Sequence, residues 1–285
     1  MRPTPWRVRS RRLRFGLSTL LGPKPRGFFI PYRHAASVGP VAYPALEPFF
    51  DQALLRFLDV LADIEGLSGL IAVLEGPAPE PRFDQSWFPR LDAAAAYAMV
   101  ARTRPRRIVE IGSGHSTRFL ARAVRDQGLA TEIFCIDPAP RAPLAKLPVR
   151  GLGCLLQDAP HEIFSGLGPS DILFVDSSHV MMPGSDVDLI VNDLLPRLPG
   201  GVLVHMHDIF LPDAYPPAWA WRGYNEQLAM GALIQGGSWR LLFASHYLAT
   251  RHPALLQQGV LAQLPLAPDA FEASLWLEKT SPPSP

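Results

Sequence analysis

Apolar runs of strand length alternate with segments of helical spacing over most of the chain. The strand-like runs lie near 107–111, 132–137, 152–156, 171–176, 201–206, 238–243 and 273–277. The segments whose apolar residues recur at helical spacing lie near 116–127, 185–196 and 223–234. This alternation predicts an α/β fold with a doubly wound, mostly parallel sheet that carries helices on both faces.

The first part of the chain has a different pattern. Residues 1–26 contain eight basic residues and no acidic one, and apolar residues recur at helical spacing from 43 to about 74. We therefore expect a basic, mobile N-terminal arm over 1–26, a helical extension over 27–82, the α/β domain over 83–279 and a disordered tail over 280–285. The arm is either solvated or makes weak contact with an anionic membrane surface.

Composition restricts the classes of function further. The chain has 285 residues, of which 48% are hydrophobic, and a net charge of +1, so no global field recruits nucleic acid. No apolar run approaches the ~18 residues of a membrane span. Cys135 and Cys154 both fall in predicted strands, where they are interpreted as small buried side chains in a reducing, cytoplasmic compartment.

A glycine-containing turn follows the first strand. Glu110-Ile-Gly112-Ser113-Gly114-His-Ser116 joins that strand to the next helix. The two glycines let backbone approach a ligand closely, and the free N–H groups of the first helical turn face it. Glu110 lies in an otherwise apolar strand, so its carboxylate needs a partner, either a ligand or a backbone donor.

The second strand ends in another acid. Asp137-Pro138 lies roughly 20 residues beyond the turn, where a carboxylate accepts the two ribose hydroxyls of a bound nucleoside. A dinucleotide fingerprint would require a third glycine at the position of Thr117, which weakens that interpretation. The pattern therefore favours an adenosine-type nucleoside site.

Polar residues also end the later strands. The third predicted strand ends at Asp158, and the fourth runs into Asp176 and then His179. The fifth carries His207 and Asp208 at its end. Two carboxylates with a histidine between them can hold a divalent cation, or can form a general base with its orienting partner. Asp158 either contacts the nucleoside or caps the turn that follows it.

The glycine turn, E-x-G-x-G-x-S from Glu110 to Ser116, resembles motif I of the class I S-adenosylmethionine (SAM)-dependent methyltransferases. The segments D-S-S-H and H-x-H-D-I resemble a bacterial branch of the catechol-type O-methyltransferases, near the cephalosporin-hydroxylase-like and sugar O-methyltransferases. The resemblance implies a Rossmann-like, seven-stranded sheet closed by an antiparallel last strand near 272–278. It also implies SAM as cofactor, with Asp158 at the adenine amino group.

The same resemblance implies a set of site residues. The cofactor would contact Glu110, Gly112, Ser113, Gly114, Ser116, Asp137, Pro138, Asp158 and Asp176. The catalytic candidates are His179, His207 and Asp208, and the metal candidates are Asp176, His207 and Asp208. The family has Asp-Asn after its fifth strand where this chain has His207-Asp208, a departure that suits Mn²⁺ or Fe²⁺, or no metal, better than Mg²⁺.

We therefore expect methyl transfer from SAM to a hydroxyl of a small molecule or a glycan building block. His179 or His207 would take the proton, with Asp176 or Asp208 orienting the base. Two other functions stay open: a SAM-binding structural or regulatory protein without transferase activity, and an NAD-dependent oxidoreductase.

Overall fold

Seven strands form one sheet in the part of the chain that the structure, a computed structural model, describes: residues 6–140, 144 and 146–280. The strands are β1 (Arg107–Ile111), β2 (Glu132–Ile136), β3 (Arg150–Leu152), β4 (Ile172–Val175), β5 (Leu203–Met206), β6 (Trp239–Ala244) and β7 (Leu275–Lys279). Their order is β3-β2-β1-β4-β5-β7-β6, and β7 runs antiparallel to both of its neighbours. The predicted doubly wound, mostly parallel sheet with an antiparallel last strand is confirmed.

Helices connect and flank the strands. They are α1 (Trp6–Leu21), α2 (Glu47–Gly66), α3 (Ser68–Ile71), α4 (Arg90–Thr103), α5 (His115–Asp126), α6 (Glu162–Ser165), α7 (Asp186–Leu189), α8 (Leu195–Arg197), α9 (Glu226–Gln235) and α10 (Ser245–Arg251). A π-helical turn, Ile190–Leu194, joins α7 to α8, so the helix expected near 185–196 is one continuous element.

The central strands are buried on both faces. Every residue of β4 and β5 is buried, as is β1 after its first residue. Helix α2 packs on β6 and on α4, and α4 packs on α5. Residues 91–100 of α4 are all buried, and five of them are alanines, which allow close approach of neighbouring backbones. Strands that are buried on both faces have continuous apolar sequences, so the positions of these strands could be predicted from the sequence.

The third strand differs from its prediction. Pairing between β3 and β2 ends at Leu152, opposite the last residue of β2, so the apolar run from 154 to 156 extends beyond the sheet. Leu156–Asp158 instead forms one 3₁₀ turn, and Asp158 is exposed. Cys154 accordingly lies outside any strand, whereas Cys135 is buried within β2. An edge strand has only one partner to define its length, and here that partner stops early.

The chain divides into two compact units. One, the N-terminal unit, lies within residues 1–41 and 215–222; the other, the sheet unit, lies within 42–214 and 223–285. The basic segment expected to be mobile contains α1, and its mobility stays a prediction. Residues 1–5, and the predicted disordered tail apart from Thr280, lie outside the described residues. None of the described helices is long and apolar enough to cross a membrane.

Candidate cofactor and active site

Gly112 ends β1 in a conformation that only glycine adopts easily. Its φ is +79°, and its N–H donates to the carbonyl of Ile136 at 2.9 Å. A Cβ atom at this position would overlap the carbonyl oxygen of Asp176. Two residues further on, a Cβ at Gly114 would meet no atom within 4 Å. The turn is therefore closed against the protein at Gly112 and open at Gly114, which leaves room for a ligand beside the first turn of α5.

Glu110 finds its partners in the first turn of α5. Its two carboxylate oxygens accept from the hydroxyls of Ser116 and Thr117, each at 2.6 Å, and Cys135 Sγ donates to it at 3.3 Å. The Thr117 hydroxyl also accepts the N–H of Gly114 at 3.0 Å. Burial raises the pKa of Glu110 to about 7, although the hydrogen bonds from Ser116 and Thr117 oppose that rise. The partners are thus side-chain hydroxyls, where the sequence suggested a ligand or a backbone donor.

Asp137 is fixed to the same turn. One carboxylate oxygen accepts from the N–H of Ser113 at 2.8 Å and from its hydroxyl at 3.1 Å, and the other accepts the N–H of Ala139 at 2.8 Å. The side chain is only partly buried, and Pro138 after it is exposed. The carboxylate therefore stands at the mouth of the glycine turn, as the nucleoside prediction requires.

A cluster of acids and histidines lies beyond β4 and β5. Asp176 Oδ1 is 3.2 Å from Nε2 of His179 and 3.5 Å from Nδ1 of His207. Asp208 reaches both rings, with 3.6 Å from Oδ2 to His179 Nε2 and 3.6 Å from Oδ1 to His207 Nδ1. The structure thus brings together all four residues that the sequence placed at these strand ends. We call Asp176, His179, His207 and Asp208 the strand-end cluster.

The backbone of the strand-end cluster is unusual at two positions. His179 has φ of 61° and Asp208 has φ of 57°, both in the left-handed region that non-glycine residues rarely adopt. Such conformations cost about 1–3 kcal/mol each and persist where the surrounding structure fixes them, often at functional sites.

Two further acids contact the cluster, and sequence reasoning missed both. Glu226, the first residue of α9, is fully buried and lies 2.9 Å from Nδ1 of His179, while Ser177 donates to its other oxygen at 3.2 Å. Asp92, in the first turn of α4, lies 3.5 Å from Nε2 of His207. It also accepts the backbone N–H groups of Ala273 and Ser274, the two residues that precede β7. An acid in the first turn of a helix is an ordinary feature, so neither position carries a sequence signal.

The charges of the cluster stabilise one another. Burial by itself would lower the pKa of His179, but the hydrogen bonds to Asp176 and Glu226 and the charge of Asp208 hold that pKa well above 6.5. Burial is likewise outweighed for His207, whose pKa is raised by the charges of Asp208 and Asp176. The pKa of Asp176 lies well below its ordinary value, since the two histidines outweigh its burial. The surrounding carboxylates therefore favour the protonated, positively charged form of both rings.

His205 has a structural role by contrast. It is fully buried, stacks on Phe174 with 3.7 Å between ring centroids, and contacts the Ser274 hydroxyl through Nε2 at 2.8 Å. Burial and the neighbouring His207 charge lower its pKa well below 6.5. It is a neutral core histidine that contacts a hydroxyl.

The divalent cation stays a prediction, because the part of the chain that the structure describes shows no site for it. Among the described residues there is no group of three or more His, Cys, Asp and Glu side chains placed to hold a metal ion. Nδ1 of His207 lies 3.5 Å from Asp176 Oδ1 and 3.6 Å from Asp208 Oδ1, so these side chains contact one another as ion pairs. The set Asp176, His207 and Asp208 is therefore better described as an ion-pair network.

Comparison with known proteins found one matching family model and several similar solved structures. Residues 109–209 match the model of a family described as a methyltransferase domain. The chain is similar to the SAH-bound methyltransferase PaMTH1 of Podospora anserina, at 16% identity and a TM-score of 0.41 over 90% of this chain and 100% of that one. It is similar to the O-methyltransferase TomG of Streptomyces achromogenes, at 18% identity and a TM-score of 0.41 over 78% and 90%. A third similar structure is cofactor-bound Rv0187 from MTB, at 14% identity and a TM-score of 0.42 over 99% and 100%.

No curated protein matches the sequence. The family match covers the segment that holds the glycine turn and both ends of the strand-end cluster, and the sheet has the order and the antiparallel last strand expected of this fold. Residues 109–209 therefore resemble a methyltransferase domain, and the sheet has the Rossmann-like methyltransferase fold.

Proposed function

We propose that the enzyme transfers the methyl group of SAM to a hydroxyl oxygen of a small molecule or a glycan building block. The observation that supports this proposal is the position of the strand-end cluster. It lies at the carboxyl ends of β4 and β5, on the same edge of the sheet as the glycine turn after β1. Asp176 belongs to the cluster, and its carbonyl occupies the space that a side chain at Gly112 would need. A protein that only bound SAM would have no use for buried, mutually paired acids and histidines there.

The glycine turn supplies the cofactor site in this proposal. Asp137 accepts the ribose hydroxyls, Ser113 holds that carboxylate in place, and the open side of Gly114 faces the cofactor. Glu110 acts through the turn, because its hydrogen bonds to Ser116 and Thr117 fix the first turn of α5. Bound SAM supplies the methyl group on a sulfonium ion, already activated for transfer.

His179 is the base that we assign to the acceptor hydroxyl. In its neutral form it donates Nδ1–H to Glu226 and presents the Nε2 lone pair beside Asp176, the most exposed member of the cluster with a third of its side chain accessible. When the acceptor oxygen takes the methyl group, the carbon–sulfur bond of SAM would break with its electron pair going to sulfur, and Nε2 of His179 would take the proton of the hydroxyl. Asp176 and Asp208 then stabilise the imidazolium, and Glu226 keeps the ring oriented.

His207 has a supporting role in this mechanism. Its ring packs 5.4 Å from that of Phe88 and lies between Asp176 and Asp92, so it is enclosed on both sides. Its positive charge holds Asp176 ionised. We therefore assign proton transfer to His179, and to His207 and Asp208 the task of fixing the charge and position of the pair.

The acceptor class and the compartment belong to the same proposal. Both cysteines are free, which fits the predicted cytoplasmic setting. Flat or polyhydroxylated acceptors are the ones to screen first, because the ring of Tyr224 lies 4.5 Å from that of His179 and places an aromatic side chain beside the proposed base.

The test is a transfer assay with methyl-labelled SAM and a panel of catechols, phenols and sugar derivatives, read as labelled product and released S-adenosylhomocysteine. Transfer to a hydroxyl that disappears in His179→Ala supports the proposal. Tight binding of S-adenosylhomocysteine with no transfer to any member of a broad panel would favour the non-catalytic SAM-binding alternative. Binding of NAD in place of S-adenosylhomocysteine would favour the oxidoreductase.

A further inference from the structure

Helix α1 exposes an apolar stripe along its length. None of its residues is buried, and Trp6, Leu13, Leu17 and Leu20 follow one another at intervals of seven, four and three residues, which places them on one helical face. Trp6 is 80% exposed, Leu13 65% and Leu20 58%. A row of large exposed apolar side chains along about 24 Å of helix indicates a surface that binds an apolar partner.

Basic side chains border this stripe. Helical spacing puts Arg7 and Arg14 on one side of it and Arg9 and Arg12 on the other, and the helix contains no acid. The gap that Gly16 leaves in the helix surface is lined by arginine and leucine together, from Arg9, Arg12, Leu13, Leu17 and Leu20. A surface with apolar and cationic groups side by side is complementary to an interface in which anions border hydrocarbon.

A second exposed apolar segment belongs to the same unit. Phe28, Phe29 and Ile30 are consecutive and 58%, 66% and 63% exposed. The chain before them folds back on the end of α1, where the Thr19 hydroxyl accepts the N–H of Arg26 at 3.1 Å. Three consecutive large apolar residues in water are rare in a soluble surface unless they serve a function.

We propose that α1 docks on an anionic lipid bilayer, with its axis in the plane of the membrane. Trp6, Leu13, Leu17 and Leu20 enter the boundary between headgroups and acyl chains, and the flanking arginines contact lipid phosphates. Charge complementarity selects this occupant: five arginines and no acid within the 16 residues of α1 favour an anionic surface over a neutral one. The inference concerns the N-terminal unit alone and does not depend on methyl transfer.

The experiment is co-sedimentation of the full chain with vesicles of phosphatidylcholine, alone or with a quarter phosphatidylglycerol. We expect binding to the anionic vesicles only, weakened about tenfold or more when NaCl is raised from 0.05 to 0.5 M. The double variant Leu13→Gln/Leu17→Gln keeps every charge and should lower the partition coefficient about tenfold or more, because two leucines no longer leave water.

A matched control distinguishes the stripe from general loss of hydrophobicity. Leu55→Gln/Val73→Gln replaces two exposed apolar residues of the sheet unit, 77% and 60% accessible, and should leave vesicle binding unchanged. Equal binding to neutral vesicles, or undiminished binding of Leu13→Gln/Leu17→Gln, would overturn the proposal. So would a wild-type dimer in solution that this variant dissociates while vesicles bind neither protein, since the occupant would then be a second copy of the chain.

Discussion

The carbonyl oxygen of Asp176 fills the space that a side chain at residue 112 would need. The Asp176 N–H also donates to the carbonyl of Ile111 at 2.8 Å, so the ends of β1 and β4 are joined backbone to backbone. These backbone contacts hold the glycine turn and the strand-end cluster in a fixed relative position. The proposed cofactor site and the proposed base therefore depend on the same close approach.

Gly112→Ala should therefore destabilise the fold, whereas Gly114→Ala should not. The first places a methyl group against backbone at φ of +79°, and we expect a loss of about 3 kcal/mol or more in the free energy of unfolding. The second meets no atom within 4 Å, so its stability should stay within about 1 kcal/mol of wild type while its affinity for S-adenosylhomocysteine falls. Urea unfolding and calorimetry measure the two effects. Equal stability of the two variants would contradict the packing argument.

Asp137→Ala should weaken S-adenosylhomocysteine binding about 10²-fold or more. Two hydrogen bonds from ribose hydroxyls to a charged acceptor are lost, at roughly 1.5–3 kcal/mol each. Calorimetric titration gives the dissociation constants, with the exposed Asp269→Ala as control. An affinity close to wild type would remove Asp137 from the cofactor site. Asp158→Ala, measured in parallel, decides whether that exposed acid contacts adenine at all.

His207→Ala and Asp208→Asn should separate cofactor binding from catalysis. Because both residues act on the acceptor side, the affinity for S-adenosylhomocysteine should stay within a few-fold while turnover falls ~10²-fold or more. Normal turnover in both variants would show that His207 and Asp208 only stiffen the sheet. Addition of EDTA tests the divalent cation directly: the ion-pair network predicts unchanged turnover, whereas loss that Mg²⁺ or Mn²⁺ restores would reinstate the metal.

The rate of methyl transfer should rise with pH. The proposed reaction needs neutral His179, whose pKa lies well above 6.5, so kcat should increase as that proton is lost, with a midpoint above 6.5. Glu226→Gln removes a group that raises this pKa, and should shift the midpoint to lower pH as well as lower kcat. A purely structural role for Glu226 would leave the midpoint where it is, so the pH profile of kcat discriminates between the two.

Glu110 should make the protein less stable as pH rises from about 4.5 to 7. Its folded pKa is about 7 against an ordinary value of 4.5, so within this window the folded state keeps a proton that the unfolded state has lost. The contribution of this proton to stability is complete below pH 4.5 and is lost as pH rises through 7, at a cost of about 3 kcal/mol. Glu110→Gln should flatten that part of the curve in urea unfolding at pH 5 to 8. Parallel curves for the variant and the wild type would show that Glu110 ionises normally.

The sequence predicted the apolar runs of β1, β4 and β5, the glycine turn, and the acids that follow it. Each depends on residues within one short segment, because a strand buried on both faces must be apolar throughout and a tight turn needs glycine where it bends. The antiparallel last strand followed from resemblance to the methyltransferases and not from the pattern alone. The 3₁₀ turn at Asp158 was mistaken for a strand end, since an apolar run does not record where the neighbouring strand stops.

Only the tertiary structure could supply Glu226 and Asp92. Glu226 meets His179 across 47 residues of sequence, and Asp92 reaches His207 from a helix that precedes the whole sheet. The raised pKa of His179 depends first on Asp176 and then on Glu226, and that of His207 on Asp208 and Asp176 before Asp92, because a pKa depends on charges a few ångströms away. The sequence by itself determined which residues end each strand. The packing of strands and helices decided which of those residues face one another. That packing brings the polar residues after β4 and β5 together as an ion-pair network beside the glycine turn.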